Sequence, residues 1–230
     1  MTDLNGRVAL VTGASRGIGA AVARRLDGEG VRLGLASRSG DDLGIDGAVA
    51  RPCDVRDPAA LEALVRETVE RFGGLDIVVA NAGGPPPARA LEVEDDAMLA
   101  AVNANMLASI RLVRAAAPHM RAAGWGRICL LSSYAVKQPI PTLAYSNAAR
   151  TGLWAWAKTA AQDLIDDGIT LNLVCPGPHA TDRAKELGTS GRMGDPEDFG
   201  RIVAFLCSDP AGFVSGVALQ VDGAGTLGLL

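Results

Sequence analysis

Short unbroken apolar runs alternate along this chain with longer segments in which apolar residues return every three or four positions. The first run, Val8-Ala9-Leu10-Val11, reads as a strand and leads through a glycine-rich turn into an alanine-rich helix ending near Leu26. Further strands are predicted at Val31–Ala36, Ala48–Cys53, Leu75–Ala80, Arg127–Leu131, Ile169–Val174 and Ala218–Val221. Helices are predicted from Asp57-Pro58 to Phe72, from Glu94 to Ala122 with a break near Asn103, from Leu143 to Asp166 and from Pro196 to Ser208. Leu61, Leu64, Val65 and Val69 mark one apolar face; Met98, Val102, Leu107, Ile110 and Val113 mark another. Strands as continuously apolar as Ile77-Val78-Val79-Ala80 suit burial on both faces. The alternation predicts an α/β fold, a doubly wound, mostly parallel seven-stranded sheet with helices on both faces and ligands at the carboxyl ends of its strands.

Composition narrows this picture. A chain of 230 residues, 48% hydrophobic and 21% charged, can bury the core of one large domain spanning 1–230. Its net charge of −4, with Lys and Arg dispersed, argues against a nucleic-acid partner. No apolar run approaches the roughly 20 residues that span a bilayer, and the first strand begins almost at once without a leader. The expectation is a soluble, cytoplasmic protein with no membrane partner. Cys53, Cys129, Cys175 and Cys207 are far apart in sequence and form no C-x-x-C pair, so they read as small buried apolar residues, not disulfide or metal ligands.

The glycine turn carries the first chemistry. Gly13 permits a sharp turn, Gly17 a close backbone approach to a pyrophosphate, and Gly19 close packing of helix on strand, while Ser15, Arg16 and Ile18 stand where helix amides face an anion. The spacing is G-x-x-x-G-x-G, and taken alone it could merely end a strand. At the end of the second strand Ser37 and Arg38 offer a hydroxyl and a guanidinium where a carboxylate would hold the ribose 2′-hydroxyl of NAD. With Arg16 they suit a 2′-phosphate and favour NADP(H) over NAD(H), the alternative being two solvated loop arginines. Asn81-Ala82-Gly83 ends the fourth strand with small residues that let backbone approach a cofactor.

Thr12-Gly13-x-x-x-Gly17-Ile18-Gly19, Asp54-Val55, Asn81-Ala82-Gly83, Ser133, Pro176-Gly177 with Thr181, and Val221-Asp222-Gly223 together resemble the short-chain dehydrogenase/reductases, nearest to the beta-ketoacyl-acyl-carrier-protein reductase-like branch. The resemblance covers essentially the whole chain. It implies a single Rossmann-type domain, adenine contact by Asp54, Asn81 along the cofactor and Thr181 near the nicotinamide amide. It also implies hydride transfer between nicotinamide and a carbonyl or alcohol, served by an Asn, Ser, Tyr, Lys tetrad in which the phenol donates the proton.

This chain does not keep the Tyr-Lys pair. Taking Tyr145 as the acid puts Ala149 at the lysine position and shortens the separation from Ser133 by one residue. Aligning without a gap, on Gly152-Leu153 and Lys158-Thr159, puts Ser146 at the tyrosine position, Arg150 at the lysine position and Asn105 at the asparagine position. The ungapped register is preferred because it restores the spacing and keeps a cation one turn below a hydroxyl. Ser146 cannot simply replace a phenol as an acid. Three substitutes are open: Tyr145 or Tyr134 from a neighbouring position, His179 in the loop after Pro176-Gly177, or water held by Ser133 and Ser146. Lys137 near the pocket mouth and His179 both have a plain solvated-loop reading.

Only a few residues separate Thr181 from Gly191, where relatives carry a longer substrate lid. This predicts an open cleft for a large or carrier-bound carbonyl substrate. Three functions therefore compete: an NADP(H)-dependent reductase with a modified proton relay, a nucleotide-binding but redox-silent subunit, and a non-redox lyase or isomerase on the same scaffold. Trp154 and Trp156 lie on different sides of their helix, and at least one is expected to be buried. The resemblance places that helix in a subunit interface and implies a homodimer or homotetramer.

Overall fold

In the computed structural model, which describes residues 3–229, seven strands form one sheet in the order β3-β2-β1-β4-β5-β6-β7, and every neighbouring pair is parallel. The strands are β1 (Val8–Thr12), β2 (Arg32–Ser37), β3 (Val49–Pro52), β4 (Ile77–Ala80), β5 (Gly126–Leu131), β6 (Ile169–Pro176) and β7 (Ala218–Val221). Parallel strands need long crossovers, and helices supply most of them: α1 (Gly17–Gly28), α2 (Pro58–Phe72), α3 (Asp95–Val102), α4 (Ala108–Ala123), α5 (Ala144–Leu164), α6 (Asp182–Glu186) and α7 (Pro196–Leu206).

Alternation along the strands sorts the core into two layers. Leu10, Val78, Ile128, Leu130, Leu171 and Leu173 face α2, α4 and α5, while Ala9, Val11, Leu33, Val79, Cys129 and Val174 face α1 and α7. At the first helix of the former layer, Asp57 accepts from the Ala59 amide at 2.9 Å, Pro58 stands in the first turn, and Gly73 ends the helix at φ 84°.

Strand order reverses between β1 and β4. The crevice at a parallel sheet's carboxyl edge opens at such a point, and here the glycine turn after β1 and Asn81-Ala82-Gly83 after β4 flank it.

The sheet is parallel throughout, in keeping with the mostly parallel sheet expected. The helix expected over Glu94–Ala122 breaks at Asn103 as expected, and the break is a π-helical segment, Asn103–Leu107, between α3 and α4. The extra residue per turn there rotates α4 relative to α3, so one apolar stripe does not run through both halves. The segment after Thr181 folds as α6, and Cys129 and Cys207, distant in sequence, meet with Sγ atoms 3.8 Å apart. All four cysteines are buried free thiols. Neither Trp154 nor Trp156 is buried; both are half-exposed at the margin of the α5 core face.

Candidate functional site

The glycine turn is shaped by backbone that only glycine adopts cheaply. Gly13 and Gly17 have φ of 59° and 57°, and a Cβ on Gly19 would stand 2.2 Å from the Gly13 carbonyl oxygen. Thr12 and Asn81 tie the ends of β1 and β4 together. The Thr12 hydroxyl donates to the Asn81 carbonyl at 2.8 Å and accepts from the Asn81 amide at 2.9 Å, and Asn81 Nδ2 donates to the Gly13 carbonyl at 3.1 Å. The N-terminus of α1 then opens towards the crevice without a capping side chain at Arg16 and with no acid in its first turn. Its first amides and its dipole are left for an anion to satisfy.

These elements bound a cleft of about 510 Å³, within the range of small-molecule sites. Ser15, Arg16 and Ile18 line it beside Gly13 and Gly17, as do Ser37, Arg38, Asp54, Val55, Asn81, Ala82, Gly83, Pro176, Gly177 and Thr181. Gly19 stands behind the turn and does not line it. The Ser37 hydroxyl accepts from the Gly40 amide and contacts Ser39 Oγ at 3.1 Å. Arg38 is exposed and makes no ion pair among the described residues, whereas Arg16 reaches Glu186 of α6 at 3.8 Å. Asp54 is gripped by the Arg56 fork, Oδ2 to Nη2 at 2.6 Å. That side-chain bond, followed by the Arg56 amide, holds its carboxyl down to about 2.

At the far end of the cleft β5 delivers Ser132 and Ser133, and the first turns of α5 deliver Ser146 and Arg150. Ser133 Oγ accepts from the Ala135 amide at 3.1 Å, which leaves its hydroxyl proton free for a ligand oxygen. Arg150 is buried among protein acceptors: Nη1 donates to the Leu131 carbonyl at 3.0 Å and Nη2 to Asn105 Oδ1 at 2.9 Å. Burial first, with Arg183 adding to it, pushes the Arg150 guanidinium down to about 10, so it remains cationic at neutral pH. Asn105 sits in the π segment, with Nδ2 towards the Ala101 carbonyl, and reaches the cleft only through Arg150. Burial likewise pushes the adjacent Cys175 thiol up to about 11.

Tyr145 is not brought to the cleft. Its hydroxyl accepts from the Glu94 amide at 2.7 Å, one residue before α3, and its ring is buried. One helical step of about 100° turns it away from the face that Ser146 and Arg150 share. The gapped register, with Tyr145 as the acid, is therefore set aside. His179 is no solvated bystander: it is buried, bonds Gly177 O through Nδ1 at 3.0 Å, and meets the Phe199 ring edge-on at 5.2 Å. Lys137 lies 5.8 Å over the Trp154 ring.

The model of the family described as enoyl-(acyl carrier protein) reductase matches residues 13–226. The 3-oxoacyl-[acyl-carrier-protein] reductase of Vibrio cholerae is 34% identical over 239 residues, covering 96% of this chain and 98% of that one. The chain belongs to the short-chain dehydrogenase/reductase family. The bovine dehydrogenase/reductase SDR family member 4 is 31% identical over 246 residues, 96% of this chain and 87% of its own. A crystal structure assigned as a short-chain alcohol dehydrogenase from Sinorhizobium meliloti superposes with a TM-score of 0.88 at 31% identity, covering 96% of both chains. This member thus combines the family's sheet and crevice with Ser146 and Arg150 on the helix face that borders the site.

The lid was missed in sequence. Thr181 caps α6 by accepting from the Ala184 amide, and Arg183 Nη2 donates to the Pro85 carbonyl at 2.9 Å. With Glu186 beside Arg16, the short helix bridges both banks of the cleft, so the expected open mouth is partly roofed. The signal was present: a Thr cap, an acid at Asp182, and bases at Arg183 and Lys185 near the helix end.

Proposed function

We infer that this chain is an NADP(H)-dependent oxidoreductase that reduces a carbonyl group, of the 3-oxoacyl reductase type, with a proton relay that does not use the family's Tyr-Lys pair. The observation that carries the reading is the cofactor half of the cleft. There the uncapped N-terminus of α1, and Arg38 beside Ser37 with no ion pair among the described residues, form two anion sites in a cleft whose far end holds Ser133 and Ser146. Both fit a cofactor bearing a pyrophosphate and a 2′-phosphate. When bound, such a cofactor supplies the hydride.

The chain's own residues supply orientation and charge. Ser133 presents a free hydroxyl proton to the substrate oxygen. Arg150 keeps a positive charge beneath Ser146, held there by Leu131 and Asn105, and has N–H groups left for ribose hydroxyls. Asp54 and Asn81 line the same cleft, where the family resemblance puts Asp54 at the adenine and Asn81 along the cofactor. Curated relatives named for a 3-oxoacyl group on acyl carrier protein support a small or carrier-bound carbonyl substrate. Kinship with that branch of the family also supports a cytoplasmic homodimer or homotetramer. No helix among the described residues is long and apolar enough to cross a membrane.

The test is turnover by the purified chain with NADPH or NADH and a panel of 3-oxoacyl thioesters and simple ketones. NADPH oxidation matched by alcohol formation, with NADH poorer, is the expected result. A second reading, a nucleotide-binding but redox-silent subunit, is favoured by one observation: Tyr145 is buried outside the cleft lining, its hydroxyl oxygen held by the Glu94 amide. Tight NADPH binding with no reduction of any carbonyl would select it.

A further inference from the structure

A carbonyl that accepts hydride must also gain a proton, and the usual donor position holds Ser146, an aliphatic alcohol. The remaining groups at this end of the cleft can be taken in turn. Arg150 does not give up a proton in proteins. His179 directs Nδ1 at the Gly177 carbonyl, and its buried ring packs against Gly194 and Phe199. The Cys175 thiol is wholly buried behind the serines. Asp182 is an acceptor engaged by Lys185 at 3.1 Å.

Besides a water held by Ser133 and Ser146, that leaves the phenols, and the chain has two tyrosines. Tyr145 is buried and does not line the cleft, its oxygen lying on the Glu94 amide. Tyr134 follows Ser133 directly, opens the 3-10 turn Tyr134–Val136, lines the cleft and is half-buried, and its hydroxyl has no hydrogen-bond partner among the described residues. Its neighbours in the turn, Ala135 and Val136, are buried, Val136 in the core beneath the sheet, which anchors the turn that carries it.

We propose that Tyr134 is the catalytic proton donor of this enzyme, the phenol having moved from the helix that carries Ser146 to the turn that follows Ser133. The assignment rests on the reductase reading above. The carbonyl carbon accepts hydride from the reduced nicotinamide, which leaves oxidised, and the π pair moves to oxygen. That oxygen, held by the Ser133 hydroxyl, takes the phenolic proton of Tyr134. The buried charge of Arg150 offsets the phenolate left behind, and solvent at the cleft mouth returns the proton.

Tyr134→Phe is expected to lower kcat on the order of 10²- to 10⁴-fold with the Kd for NADPH and the Tm unchanged, while Tyr145→Phe lowers Tm and retains turnover. Independently of activity, tetranitromethane should nitrate Tyr134 and spare Tyr145, and NADP⁺ with the product alcohol should slow that nitration. Wild-type turnover by Tyr134→Phe, or nitration indifferent to the ternary complex, would overturn the assignment alone. Protein that binds NADPH but reduces no carbonyl would instead defeat the reductase reading, and this assignment with it.

Discussion

If the ungapped register holds, Arg150 takes the position of a family lysine without emptying the site. A lysine is a point donor on a flexible stem; the planar guanidinium here is fixed by two protein acceptors, Leu131 and Asn105, at 3.0 and 2.9 Å. Arg150→Met would leave both acceptors buried and unpaired, and should destabilise the protein by about 1–3 kcal/mol in urea unfolding. Arg150→Lys keeps the charge and should cost less. At the other end of the cleft Arg38 has no protein partner to hold it back from a phosphate. Losing a hydrogen bond to a charged group costs about 1.5–3 kcal/mol, so Arg38→Ala should raise the Kd for NADPH by about tenfold or more and leave NADH binding unchanged in calorimetric titration.

Among the elements, the turn between β1 and α1 tolerates least. Gly19→Ala places a methyl against the Gly13 carbonyl, at a spacing that the turn must open to accept. It should cost about 1–3 kcal/mol and abolish nucleotide binding, read as a lower Tm that NADPH no longer raises. This element was legible from spacing alone because every requirement in it is local: a positive φ at Gly13 and Gly17, and a close approach at Gly19. All seven strands were legible too, within two residues at each end: the five inner strands are largely apolar because both faces are buried, and the edge strands β3 and β7 keep short apolar runs despite partial exposure. What stayed hidden depends on partners far along the chain. Nothing near Tyr145 in sequence says that its hydroxyl will meet Glu94, 51 residues earlier. Nor does the run around Asn103 reveal that a π segment aims Asn105 at Arg150. The lid was lost for a different reason: five residues are too few for a periodic signal.

As a whole molecule, the chain leaves large apolar side chains in water, among them Phe213, Phe205 and Leu219 near the β7 edge of the sheet, and Trp154 and Trp156 half-covered on α5. Exposed apolar groups at a sheet edge and along a helix face suit contact with further copies of the chain. Light scattering should therefore report a dimer or tetramer, and a monomer at micromolar concentration would contradict the assembly. The same global view joins the two halves of the cleft. The sheet reversal between β1 and β4 opens the end of the cleft proposed for a dinucleotide, and the ends of β5 and α5 line the end proposed for its reactive ring. The measurement that tests this most directly is a crystal structure of the chain with NADP⁺. The account predicts the 2′-phosphate on Arg38 and Ser37, the pyrophosphate at the start of α1, and Arg150 on the ribose. It also predicts the nicotinamide facing Ser133, Ser146 and Tyr134. A cofactor bound elsewhere, or a nicotinamide turned away from these hydroxyls, would contradict it.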